Sequence, residues 1–112
     1  MTYALLIYGA PAARPDEGPT DDGVFDDWVA YNRALASAGA LVALERLQGA
    51  DTATTVRLRG GERILTDGPF VETKEHLLGF YLVEVSDLDG AIDWAARMPH
   101  ISHGTVEVRP VG

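Results

Sequence analysis

Residues 78–85, Leu-Gly-Phe-Tyr-Leu-Val-Glu-Val, constrain the fold more than any other stretch. In an extended chain Leu78, Phe80 and Leu82 point one way while Tyr81, Val83 and Val85 point the other. A strand that is apolar on both sides needs cover on both faces. At 112 residues the chain is one domain, 1–112, with a single core, so its helices can cover only one face. A second copy of the same sheet is the simplest cover for the other. The expectation is a homodimer.

The other segments fit around this strand. Residues 3–8 form a second apolar run without alternation, stopped by Gly9-Ala10-Pro11, and read as another strand covered on both faces. Residues 9–23 have no periodicity and read as a long loop. A first helix is expected from Asp21 or Asp22, with Asp21, Asp22, Asp26 and Asp27 favoured by the dipole of its first turns. Its apolar stripe is Phe25, Trp28, Val29, Leu35 and Ala36, and Gly39 closes it. At that spacing Trp28 reads as core.

Residues 41–47 predict a strand with Leu41, Ala43, Glu45 and Leu47 on one face and Val42, Leu44 and Arg46 on the other. Either Glu45 or Arg46 then looks into a cleft or a subunit contact, or the strand end simply reaches water. Residues 54–59 alternate, and Gly60-Gly61 predicts a two-residue hairpin that sets Arg59 opposite Glu62. Residues 63–66 return. Ser86 or Asp87 caps a second helix whose stripe is Leu88, Ala91, Ile92, Ala95 and Met98, ended by Pro99. Residues 105–109 alternate as a last strand, stopped by Pro110. The order predicts a two-layer α+β domain of ferredoxin-like type, with a mostly antiparallel sheet and two helices on one face.

Charge and composition narrow the partners. With 9 Lys and Arg against 17 Asp and Glu, the net charge of -8 repels phosphate backbones and anionic bilayers, so neither nucleic acid nor membrane is an expected partner. There is no cysteine, which excludes disulfides and thiolate chemistry and fits a reducing cytoplasm. Nothing approaches the roughly 18 apolar residues of a membrane span. No phosphate loop, nucleophile elbow or zinc signature occurs, and no cofactor is called for.

Three groups of residues carry chemistry. Around the Gly68-Pro69 bend lie Asp67, Glu72, Lys74 and Glu75. A carboxylate beside a lysine on a loop suits a general base with a cationic stabiliser for an anionic intermediate. The alternative is a turn aspartate capping its own backbone beside solvated charges. The second group is His100 and His103 in Pro-His-Ile-Ser-His-Gly, which suits acid/base work better than a metal. No metal site is assigned. The third is Glu107 and Arg109, on one face of the last strand, where the arginine is either a carboxylate anchor or half of an ion pair.

The segment Leu65-Thr-Asp-Gly-Pro-Phe-Val-Glu-Thr-Lys-Glu, followed by Gly79-Phe-Tyr, resembles the signature of the DGPF-motif branch of the YCII-related family. The resemblance extends through Ala53-Thr-Thr-Val-Arg57, Asp87-Leu-Asp-Gly-Ala-Ile-Asp-Trp-Ala-Ala96 and Val106-Glu-Val-Arg-Pro-Val111. It implies a ferredoxin-like α+β dimer. Better-defined members of the wider family resemble small enzymes that use a histidine on the first helix and an aspartate in an Asp-Pro pair after the second. Here those places hold Tyr31 and Asn32, and Met98-Pro99-His100, so that dyad does not carry over. Relatives of this branch are often encoded beside extracytoplasmic-function sigma factors, which implies a bacterial regulatory setting.

Two functions follow. One is cofactor-independent proton transfer, of lyase or isomerase type, on a small carbonyl or carboxylate compound. There Asp67 or Glu72 is the base, Lys74 or Arg109 the anion stabiliser and His103 the acid, with Phe70, Tyr81, Arg109 and Glu45 as substrate-binding residues. The other is a non-catalytic regulatory or ligand-sensing module that meets a protein partner.

Overall fold

The structure, a computed structural model, describes residues 1–10, 24–71 and 74–112, with the backbone alone at 24 and 25. The expected loop at 11–23, the expected helix start at Asp21 or Asp22, the side chain of Phe25 and the motif carboxylate Glu72 lie outside the described residues. The elements are β1 (Thr2–Gly9), α1 (Val24–Ser37), β2 (Leu41–Arg46), β3 (Thr54–Arg59), β4 (Glu62–Asp67), β5 (His76–Glu84), α2 (Leu88–Ala96) and β6 (Thr105–Pro110). An antiparallel four-stranded sheet has the order β2-β5-β1-β6, and β3 and β4 make a separate two-stranded sheet. This is the predicted α+β arrangement, with β5 inserted between the strands of a β-α-β unit. No helix among the described residues is long and apolar enough to cross a membrane.

The core lies between the helices and one sheet face. Tyr3, Leu5 and Ile7 of β1 and Tyr81 and Val83 of β5 meet Tyr31 and Leu35 of α1 and Ala91 and Ala95 of α2. β1 therefore alternates buried and half-buried within one copy, inside the sheet between β5 and β6. Its other face, with the half-buried Ala4 and Leu6, continues across Phe80 and Leu82 of β5 to Ala43 and Glu45 of β2 and to Glu107 and Arg109 of β6. Among the described residues this second face carries no helix.

Three expected faces are corrected. Irregular pairing between Leu41 and Ala43 bulges Val42 outward, so Leu41 and Leu44 share the core face that strict alternation would separate. In α1 the inward residues are Trp28, Tyr31 and Leu35, whereas Val29 and Ala36 face water. Tyr31 is buried because its hydroxyl donates to the Trp94 carbonyl at 2.7 Å, an option that composition does not reveal. In α2 Ala91 and Ala95 are buried, as is Met98 just past its end, but Leu88 and Ile92 are exposed.

Local signals act as expected. Gly39 ends α1 at φ +70°, while Gly60 and Gly61, at φ +58° and +80°, turn the hairpin with Arg59 opposite Glu62. Asp87 caps α2, accepting from the Gly90 N–H at 2.9 Å. Asp87→Ala is expected to cost about 1 kcal/mol, read from urea denaturation midpoints.

Candidate functional site

Antiparallel register brings distant segments to one end of the sheet. Gly9 pairs with His76 and Tyr8 with Thr105, so the last residues of the motif loop and the residues before β6 arrive side by side. His100 sits there, only 9% exposed. Its carbonyl accepts from the His103 and Gly104 N–H groups at 3.0 and 2.8 Å, which holds the turn around it. The ring lies under Trp28, with centroids 5.6 Å apart, and edge-on to His103. Gly104 permits this placement. A side-chain carbon there would run into the imidazole and would lie 2.9 Å from the Tyr8 carbonyl oxygen.

The electrostatics of His100 are unusual. Neither ring nitrogen has a partner in hydrogen-bonding geometry among the described residues. Burial pushes the imidazole below its ordinary pKa, and the His103 ring adds to this; the Tyr8 and Thr105 backbone groups and the Glu75 carboxylate oppose it without prevailing. At neutral pH the ring is neutral. A buried polar group left unsatisfied costs about 1–3 kcal/mol, and such groups concentrate where a protein does chemistry.

Aromatic rings surround this end of the core. Trp28 stacks on Tyr81 at 6.2 Å, and Tyr31 meets Tyr81 and Trp94 edge-on at 5.6 and 5.9 Å. The Tyr81 hydroxyl donates to the Asn32 carbonyl oxygen. Burial raises the pKa of both tyrosines; the neighbouring Tyr81 adds to the rise at Tyr31, and the hydrogen bond to Asn32 opposes it at Tyr81, so both hydroxyls stay protonated. Beyond Tyr31 an open depression of about 350 Å³ is lined by Asp27, Ala30, Ala34, Arg97 and Pro99. The Arg97 guanidinium lies 4.2 Å over the Trp94 ring.

The residues singled out in the sequence fall into three places. Tyr81 belongs to the ring cluster, and exposed His103 is at its rim, its Nδ1 3.3 Å from the Ser102 hydroxyl. Lys74 is exposed and Glu75 half-buried at the entry to β5. Asp67 and Phe70 stay at the base of the hairpin: Asp67 is exposed opposite Thr54, and Phe70 lies 5.0 Å under the Arg57 guanidinium. The turn between them is held through Gly68, whose N–H donates to the Ala53 carbonyl at 2.8 Å and whose carbonyl accepts from the Thr55 hydroxyl at 2.7 Å. Glu45 and Arg109 lie on the helix-free sheet face, where Arg109 pairs with Glu107 of its own strand.

The sequence named His100 beside His103 for acid/base work without choosing between them, and it gave no sign that Asn32 accepts from Tyr81. No group of three metal-binding side chains forms among the described residues.

The class is a small two-layer α+β domain with ferredoxin-like strand order and a buried imidazole in an aromatic setting at one sheet end. The chain belongs to the YCII-related family, whose domain model matches residues 1–112. It is similar to an uncharacterized protein of Rhizobium meliloti (strain 1021), 41% identical over 120 residues that cover 99% of this chain and 92% of the relative.

Proposed function

We propose that this protein is a cytoplasmic homodimer of the DGPF branch that moves a proton on a small carbonyl or carboxylate compound without a cofactor. The observation that carries this is His100, a buried neutral imidazole with neither nitrogen partnered among the described residues. A neutral imidazole with a lowered pKa suits a general base working near pH 7. It takes the proton from the carbon beside the substrate carbonyl and returns it to the same or a neighbouring carbon. Glu75 favours the imidazolium formed in between. Lys74, next to Glu75 in the chain, supplies positive charge for the enolate oxygen. His103 at the rim exchanges the proton with water. Asp67 is a weaker base candidate because it is exposed, with ready access to water. A second copy covers the helix-free sheet face, where Ala4, Leu6, Phe80 and Leu82 would otherwise meet solvent.

The test is hydrogen–deuterium exchange at carbon, followed by NMR in deuterated buffer, across a panel of small 2-oxo and 3-oxo acids. The wild type should speed exchange for at least one of them, and His100→Gln should lower that rate by about 100-fold or more. If no member of the panel exchanges, but some member raises the thermal midpoint, the catalytic reading fails. The ligand-sensing reading, with a protein partner in a sigma-factor setting, then replaces it.

A further inference from the structure

Among the described residues the β3–β4 hairpin packs no layer against either of its faces. Its strands pair, among the described residues, only with each other, and every residue of both is exposed except the half-buried Thr55. A two-stranded ribbon is marginal in water without a layer to pack against. One face of this ribbon is nevertheless apolar. Register places Val56 opposite Leu65 and Leu58 opposite Arg63, with Val56, Leu58 and Leu65 exposed by 61, 66 and 62%.

Charge indicates what covers it. Residues 54–67 hold Arg57, Arg59 and Arg63 against Glu62 and Asp67, a net +1, which leaves -9 on the rest of a chain whose total is -8. Two copies of so acidic a molecule repel, and contact is favoured where the cationic ribbon of one meets the acidic body of the other. The helix-free sheet face fits this, since it combines an apolar stripe with an exposed carboxylate, Glu45, at its β2 edge. Nucleic acid does not fit, because its apolar contacts would remain unmet.

We infer that the hairpin is an intermolecular arm. Each copy lays Val56, Leu58 and Leu65 on the helix-free sheet face of a second copy, with Arg63, which shares their ribbon face, toward that copy's Glu45. The arm rests on the homodimer proposed above and names the element that makes it.

Two measurements on the full chain test it. In sedimentation velocity over a concentration series the wild type should be a dimer, and Leu58→Glu/Leu65→Glu should weaken association by about 100-fold or more, the equivalent of two lost apolar anchors. Both side chains are exposed in the protomer, so far-ultraviolet circular dichroism should not change. In hydrogen exchange of the unaltered protein, the β3 and β4 amides should be protected at dimer concentrations and lose protection on dilution. A dimer that the double variant leaves intact, with hairpin amides exchanging alike at all concentrations, overturns the arm and leaves the dimer standing. A monomeric wild type overturns both. Recovery of the wild type on phosphatidylglycerol vesicles, lost in the double variant, assigns the hairpin to a bilayer and overturns the arm.

Discussion

Gly79→Ala lowers the stability of this protein by about 2–3 kcal/mol, which is large for a single methyl group. Gly79 is buried in β5, opposite Arg46 of β2 and Ile7 of β1. A side-chain carbon there would lie 2.5 Å from the Glu45 carbonyl oxygen and 3.3 Å from the Arg46 Cα. Both are backbone atoms, so no rotamer change relieves the clash. Either β2 separates from β5, losing ladder hydrogen bonds, or β5 shifts against β1. For a domain of this size the thermal midpoint should fall by about 10 °C. An unchanged midpoint would mean that the two strands do not approach so closely. Because β5 then runs to the ring cluster through Tyr81, the same change should also disturb the surroundings of His100.

His100→Leu should act in the opposite direction. It replaces a buried imidazole, unpartnered among the described residues, by an apolar side chain of similar volume, which is expected to stabilise the fold by about 1 kcal/mol near pH 7.5 and, on the proposed function, to end proton transfer. Acid separates the two proteins further. His100 has a folded pKa below its unfolded value, so its contribution is unaffected above the unfolded pKa, 6.5. As pH falls through that value the unfolded chain binds the proton first. The wild type therefore loses stability until the folded imidazole also titrates, and the variant does not share this loss. Glu84, held below the usual carboxylate range by hydrogen bonds from the amino terminus and from Thr2, acts only at lower pH, where its contribution is lost as pH falls through its folded pKa. Urea midpoints at pH 7.5 and pH 5.5 should show the gap between variant and wild type widening. An equal gap at both would place the ring in contact with water.

Leu58, Leu65 and the residues of the helix-free face show how function and association can be separated. Variants of the hairpin test association without touching the ring cluster, and His100 variants test chemistry without touching the hairpin. Exchange at carbon and sedimentation are thus independent readouts of the two ends of the molecule.

What the sequence determined by itself was the set of features that depend on neighbours along the chain. Gly60-Gly61 specifies a turn with two positive φ angles, and that turn sets the Arg59–Glu62 register. Gly39 stops α1 and Asp87 starts α2 for equally local reasons. The order of elements, and with it the α+β class, followed from hydrophobic period alone. The tertiary structure decided what depends on pairing between distant strands. A bulge at Val42 reverses the parity of β2, and nothing within residues 41–47 announces it. Burial of Tyr31 instead of Val29 required an acceptor on α2. The candidate site was the least legible feature, because Glu75, His100, Tyr8 and Trp28 are widely separated in the chain. Only the register of β1 with β5 and β6, together with the packing of α1, brings them to one sheet end, where loss of water rather than sequence context sets the properties of the imidazole.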